Sequence, residues 1–124
     1  MPLVDTSVFV DHFRGFGPAS NFFRSLSDRQ DVIFSAITEA EIIAGKQCGD
    51  SSVKDRILHF LHKWKKIEVT NQIAVLAGDI SRENKIAIPD AIIAATAIIN
   101  KSYVITKNVK DFSRVHNLKV EEPY

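Results

Sequence analysis

The chain has little of several features that would narrow its class at once. Cys48 is the only cysteine in 124 residues, so an intramolecular disulfide or a cysteine-based zinc site is excluded. The formal net charge is only +1, so any binding to nucleic acid must rest on local patches. The longest apolar run, within residues 88–99, is well short of the roughly 20 residues that a membrane span needs.

Motifs of several common enzyme classes are also missing. The four histidines form no H-x-H or H-E-x-x-H spacing, and the chain has neither a G-x-S-x-G segment nor a P-loop. Residues 1–15 lack the basic segment and the apolar run of a signal peptide. We therefore expect a cytoplasmic protein with no membrane association.

What is present is the ordinary composition of one globular domain, which we expect to span residues 1–124. Hydrophobic residues make up 45% and charged residues 25%. Short apolar segments alternate with segments of helical periodicity. This alternation predicts an α/β fold with a mainly parallel central sheet of four to five strands flanked by helices. The predicted strands lie at residues 2–5, 31–37, 66–69, 102–106 and 118–122.

The predicted helices lie between these strands. Gly49 is expected to cap the C-terminal end of the third helix, and Pro89 to be the first residue of the most apolar one. Thr38 and Glu41 match the S/T-x-x-E capping box. The expected ranges are 7–13, 19–26, 38–47, 53–64, 70–84, a helix from residue 89, and a short one within 108–112.

Four acidic residues occupy corresponding places in this pattern. Asp5 ends the first strand, Glu41 lies one turn into the helix after the second, Asp90 begins the apolar helix "IPDAIIAATAII", and Asp111 follows the fourth strand. Ligands of open parallel sheets bind outside the carboxyl ends of the strands. We therefore expect these carboxylates to meet in one cleft.

Helix capping offers another explanation for each acid taken singly, because carboxylates are favoured at helix N-termini. Clustering changes the energetics. Two carboxylates about 4 Å apart repel by roughly 4 kcal/mol at an effective dielectric constant of about 20. A domain is stable by only about 5–15 kcal/mol. A cluster of such acids therefore needs protonation or a cation, and oxygen ligands favour Mg²⁺ or Mn²⁺.

Four segments in order carry a resemblance to a known family: "PLVDTSVFVD", "SAITEAEIIAG", "IPDAIIAATA" and "YVITKNVKDF". Together they resemble the PIN-domain ribonucleases and, more narrowly, the VapC-type toxins of prokaryotic toxin–antitoxin pairs. The resemblance spans roughly residues 3–112. It implies a parallel sheet flanked by helices, Mg²⁺- or Mn²⁺-dependent hydrolysis of RNA, a cognate antitoxin protein as partner, and a homodimer.

The resemblance also implies roles for individual residues. Asp5, Glu41 and Asp90 match the family's acids and would bind the metal, and Asp111 is a candidate fourth catalytic acid. The supporting polar residues would be Thr6, Ser7, Thr106 and Asn108. Lys107 and Lys110 are candidate phosphate contacts, and the phenylalanine-rich segment around the first helices is a candidate groove for an antitoxin peptide.

One position departs from the family's pattern. Asn108 stands where many members have aspartate, and an amide adds no charge to a metal site. Asp111 either replaces that acid or caps the short helix. This departure keeps a second hypothesis open, in which the protein is a catalytically weak PIN-like module that binds RNA or a partner.

Overall fold

A computed structural model describes residues 1–124 and contains one five-stranded sheet in the order β3-β2-β1-β4-β5. Every neighbouring pair of strands is parallel, as the alternation of strands and helices predicted. The strands are β1 Pro2–Val4, β2 Ile33–Ser35, β3 Lys65–Ile67, β4 Tyr103–Ile105 and β5 Val120–Glu121.

Helices connect the strands and cover the sheet. They are α1 Thr6–Phe13, α2 Gly17–Ser25, α3 Ala36–Ile43, α4 Ser51–Leu61, α5 Asn71–Asn84, α6 Ile88–Ile99 and α7 Val109–Phe112, with a 3₁₀ turn at Lys46–Gly49. None of these helices combines the length and the apolar character that crossing a membrane requires.

Successive strand residues point to opposite faces, so the sheet separates two hydrophobic clusters. Leu3 and Val104 belong to one cluster, which is built mainly on α5 and α6. Val4 and Ile105 belong to the other, where they meet aromatic side chains of α1 and α2, such as Phe9 and Phe23. Burial on both faces explains why the three inner strands β1, β2 and β4 are mainly apolar, whereas the edge strand β3 carries the exposed Lys65 and Lys66.

The apolar helix α6 lies within the first cluster. Ala91, Ile93, Ala94, Ala95 and Ala97 are completely buried. Small side chains let α6 approach the sheet and α5 closely, and this is the structural reason for the segment "AIIAATA". The burial of α6 also fixes the position of its N-terminal turn, which carries Asp90.

Three expectations about helix ends were wrong. The third helix ends at Ile43 with Ala44 as its C-terminal cap, and Gly49 lies in the following 3₁₀ turn. The chain leaves α3 at Gly45, where a Cβ atom would come within 3.0 Å of the Ile42 carbonyl oxygen. Gly45 is thus the glycine that the end of α3 requires.

The capping box was also wrong. The N-terminal cap of α3 is Ser35, whose Oγ accepts a hydrogen bond of 3.1 Å from the backbone N–H of Ile37. Because β2 runs directly into α3, the helix starts before Thr38, which lies inside it and is fully buried. In the same way α6 begins at Ile88, so Pro89 is its second residue. The N-terminal cap of α5 is Thr70, whose Oγ1 accepts a hydrogen bond from the N–H of Ile73 at 3.2 Å.

Candidate active site

Asp5 is the buried carboxylate at the carboxyl end of the central strand β1. Its Oδ2 accepts hydrogen bonds from Thr106 Oγ1 at 2.7 Å, from Ser7 Oγ at 2.8 Å and from the backbone N–H of Ser7 at 3.4 Å. Its Oδ1 accepts no hydrogen bond from the protein. This oxygen is not completely buried, because Trp64 Nε1 is the only completely buried polar side-chain atom without a partner. Asp5 therefore caps α1 with one oxygen and leaves the other available at the surface of the site.

Glu41 enters the site from α3 and is held by a threonine of α1. Thr6 Oγ1 donates to Glu41 Oε1 at 2.9 Å and lies 2.9 Å from Thr38 Oγ1. Thr38 is completely buried, so it fixes the hydroxyl of Thr6, which in turn orients the exposed carboxylate. Two helices that follow neighbouring strands thus share one hydrogen-bonded group.

Asp90 lies in the first turn of α6 but does not cap it. The N-terminal cap position is Ala87, and no protein group donates a hydrogen bond to the Asp90 carboxylate. Burial is the main cause that raises the pKa of Asp90 to about 6, followed by repulsion from Asp5, Glu41 and Asp111. The carboxylates of Asp5, Glu41 and Asp111 are therefore near enough to act on that of Asp90.

Asp111 is held by the residue that departs from the family's pattern. Asn108 Nδ2 donates to Asp111 Oδ2 at 3.0 Å, and the backbone N–H of Asn108 donates to Thr106 Oγ1 at 2.9 Å. Arg114 Nη2 lies 3.6 Å from the other Asp111 oxygen. The Asp111 side chain makes no capping hydrogen bond to the backbone of α7. The amide of Asn108 orients the Asp111 carboxylate by its hydrogen bond.

Lys107 is tied to two parts of the molecule. Its backbone N–H donates to Ser7 Oγ at 3.2 Å. Its Nζ donates to Glu122 Oε1 at 3.0 Å and to the Tyr124 carbonyl at 2.8 Å, and lies 4.6 Å from the centroid of the Tyr124 ring. The expected phosphate contact is thus already occupied by residues that follow β5, whereas the neighbouring Lys110 is exposed.

The acids form an oxygen-rich, negatively charged site but not a closed cage. No group of three or more Asp, Glu, His or Cys side chains is arranged as a ready-made metal site. The acids can repel Asp90 without forming a ready-made metal site, because repulsion between charges acts over longer distances than ligand bonds of about 2.0–2.1 Å to Mg²⁺. A donor set made only of carboxylates fits a hard divalent cation that keeps several of its waters.

Sequence reasoning missed several of these contacts. The structure brings Asp5, Glu41, Asp90 and Asp111 to one edge of the sheet, together with Thr6, Ser7, Thr106 and Asn108. It adds Thr38, which holds Thr6, and the tail residues that hold Lys107. A buried hydroxyl inside an apolar helix was the available signal for Thr38, but the capping-box pattern concealed it.

Comparison with known proteins agrees with this architecture. The PIN domain profile matches residues 3–118. Ribonuclease VapC10 of Mycobacterium tuberculosis is 30% identical over 124 residues, covering 96% of this chain and 91% of the relative. A toxin–antitoxin complex from Klebsiella pneumoniae contains a chain with a TM-score of 0.84 and 28% identity, with coverage of 100% of this chain and 98% of that one.

A further solved structure shares the fold. It is the DNA-bound VapBC from Salmonella typhimurium, in which one chain gives a TM-score of 0.85 at 21% identity, covering 99% of this chain and 98% of that one. The matched profile includes every acid of the site described above. The chain belongs to the PIN domain family, and its relatives include VapC ribonucleases.

Proposed function

We propose that this protein is a divalent-metal-dependent endoribonuclease and the toxin of a toxin–antitoxin pair. The observation that carries the proposal is the convergence of four carboxylates at one edge of the sheet, where burial and the charges of Asp5, Glu41 and Asp111 raise the pKa of Asp90 to about 6. A bound cation would offset the repulsion among these carboxylates. VapC ribonuclease relatives support RNA as the substrate.

In this proposal Asp5, Asp90 and Glu41 hold Mg²⁺ or Mn²⁺, with Glu41 either binding through water or orienting the attacking water. The bound cation would supply an activated water and neutralise charge that develops on the phosphate. Asp5 is suited to its role because Oδ2 is fixed by Thr106 and Ser7 while Oδ1 has no protein donor. Asp111 is the fourth acid of the proposed site.

The supporting residues keep the carboxylates in place against their mutual repulsion. Thr6 holds Glu41, Ser7 and Thr106 hold Asp5, and Asn108 holds Asp111. Preorganised side chains of this kind lower the cost of assembling the site around an ion and a phosphate. Asn108 therefore contributes by positioning and need not supply charge.

The proposed partners are an RNA substrate, a cognate antitoxin protein and a second copy of the chain in a homodimer, with the protein acting in the cytoplasm. A cleft between α1, α2 and α4 supports the antitoxin proposal. It has a volume of about 360 Å³, and its apolar walls include Phe23, Phe60 and Trp64. Arg24 and Lys63 at this cleft would attract acidic residues of a bound peptide.

The decisive test is cleavage of a mixed RNA pool by purified protein in Mg²⁺, in Mn²⁺ and in EDTA, with Asp5→Ala as the site variant. Asp28→Ala is a matched control, because Asp28 is an exposed aspartate that makes no side-chain hydrogen bond or ion pair. Cutting that requires the metal and is lost only in Asp5→Ala supports the proposal. RNA binding without cutting under any condition would favour the catalytically weak binding module instead.

A further inference from the structure

A separate pocket opens beside Glu41, and none of the other acids of the site lines it. Its volume is about 380 Å³, and it lies between the end of α1 and the turn that follows α3. Val10, Phe13 and Ile42 form its apolar walls, and Arg14, Glu41 and Gln47 supply its polar groups. The pocket therefore shares the Glu41 side chain with the proposed hydrolytic site.

Arg14 brings a cation to this pocket. It is the C-terminal cap residue of α1, its side chain is exposed, and its guanidinium makes no ion pair or side-chain hydrogen bond. The Arg29 guanidinium, in contrast, is engaged by Asp31 at 2.7 Å. An unpaired guanidinium beside a carboxylate site is well placed to bind a phosphate of a strand that passes Glu41.

Gln47 brings an amide that has both a donor and an acceptor. A Cβ atom on Gly45 would lie 3.1 Å from Gln47 Oε1 and 3.2 Å from Gln47 Nε2, so the amide rests directly over the bare backbone of this glycine. Neither amide atom has a hydrogen-bond partner in the protein. The absence of a side chain at Gly45 thus lets the Gln47 amide pack against the backbone in the pocket wall, and the hydrogen-bonding groups of the amide stay free.

From this arrangement we infer that the pocket binds one nucleobase of the RNA, next to the phosphate that is cut, with Gln47 contacting the base edge and Arg14 an adjacent phosphate. This inference rests on the proposed function. Unpaired RNA bases are recognised by packing on aromatic or apolar side chains and by hydrogen bonds to their edges. A neutral, flat base suits walls of Phe13 and Val10 beside the Glu41 carboxylate, whereas an acidic peptide would be repelled by it.

The first test compares cleavage sites in a randomised single-stranded RNA pool for the wild type and Gln47→Ala. We expect about a tenfold loss of base discrimination at one position next to the cut, as the loss of an edge contact predicts. Gln72→Ala is the matched control, since Gln72 is an exposed glutamine on α5.

The second test examines Arg14→Gln, with Arg82→Gln on α5 as its control. We expect KM to rise several-fold for all sequences alike, with a shallower dependence of affinity on salt, because a phosphate contact carries no sequence information. An unchanged KM and salt dependence in Arg14→Gln would overturn the role given to the guanidinium.

A binding measurement separates failure of the inference from failure of the proposed function. Fluorescence anisotropy with the four homopolymeric hexanucleotides reports base preference without any cleavage. If the pool is cut and Gln47→Ala changes neither the cut sites nor the hexanucleotide preference, the base pocket is wrong and the nuclease proposal stands. If no RNA is cut but Gln47→Ala abolishes a base preference in binding, the pocket is supported and the proposed activity fails.

Discussion

Thr106 Oγ1 donates a buried hydrogen bond of 2.7 Å to Asp5 Oδ2, and so joins the ends of the adjacent strands β4 and β1 across 101 residues of sequence. The same hydroxyl oxygen accepts the backbone N–H of Asn108 at 2.9 Å. One side chain therefore fixes both the central acid of the proposed site and the loop that carries Asp111.

Replacement of Thr106 by valine should destabilise the protein by about 1–3 kcal/mol. It leaves the N–H of Asn108 without its partner and removes one donor from the buried Asp5. Thr106→Ser keeps the hydroxyl and should retain most of the stability and cleavage. Urea unfolding and RNA cleavage by both variants test this. Equal stability and equal cleavage of the valine and serine variants would show that the hydroxyl is dispensable.

Asp90→Asn should stabilise the metal-free protein at neutral pH and abolish cleavage. The pKa of Asp90 is raised from 3.8 to about 6, so folding binds its proton more tightly. The stabilising effect is full below pH 3.8 and is lost as the pH rises through 6. Because asparagine avoids that loss, its advantage should be about 1–2 kcal/mol at pH 7.5, after a discount for partial exposure, and near zero at pH 3.5.

Urea unfolding of wild type and Asp90→Asn at a series of pH values from 3.5 to 7.5 checks this prediction, with EDTA present throughout. The same advantage at every pH would contradict the assignment of the effect to the ionisation of Asp90. A loss of stability at neutral pH would indicate that the carboxylate supports the start of α6 after all.

Mn²⁺ should stabilise the protein in a manner that depends on pH. A ligand at about 100 times its Kd raises the free energy of unfolding by about 2.7 kcal/mol. Protons compete for Asp90 below its pKa of about 6, so the increase in Tm should be larger at pH 7.5 than at pH 5. Differential scanning fluorimetry of the wild type and of the control variant Asp28→Asn measures the increase in Tm that Mn²⁺ causes at each pH. An increase in Tm that is the same at both pH values would argue against Asp90 as a ligand.

Asn108→Asp should lower the Tm of the metal-free protein and increase its response to Mn²⁺. The amide that now donates to Asp111 at 3.0 Å would be replaced by a second carboxylate. Asn108→Ala removes the hydrogen bond without adding charge, so it should be intermediate in stability and gain no Mn²⁺ affinity. Calorimetric titration of the three proteins tests this. Equal Mn²⁺ affinity in all three would place residue 108 outside the metal site.

The fold and the acids of the site were predictable from sequence because both depend on local patterns. Clear patterns mark the apolar segments of β1, β2 and β4, the amphipathic α5 and the buried α6. The placement of Asp5, Glu41 and Asp90 then follows from a general rule about parallel sheets. Periodicity cannot give the exact start of a helix. The pattern therefore predicted Thr38 as the cap of α3, although the cap is Ser35.

The cross-connections of the site were not predictable in this way. The contact of Thr6 with Glu41, and that of Lys107 with Ser7, exist only because β1 lies between β2 and β4. The pairing of Asn108 with Asp111 depends on the path of a single loop. One sequence gives no information on such distances, so it left the role of Asn108 open.

The position of β1 in the middle of the sheet has a consequence during synthesis. Thr106, the donor to Asp5, is added 101 residues after it, later than Asp90 and shortly before Asp111. At about 5–20 residues per second, this interval lasts about 5–20 seconds. Until it ends, the growing chain has neither the completed β1–β4 pairing nor the full set of acids. A ribosome that makes this protein is therefore not exposed to a complete acidic site before most of the domain has been translated.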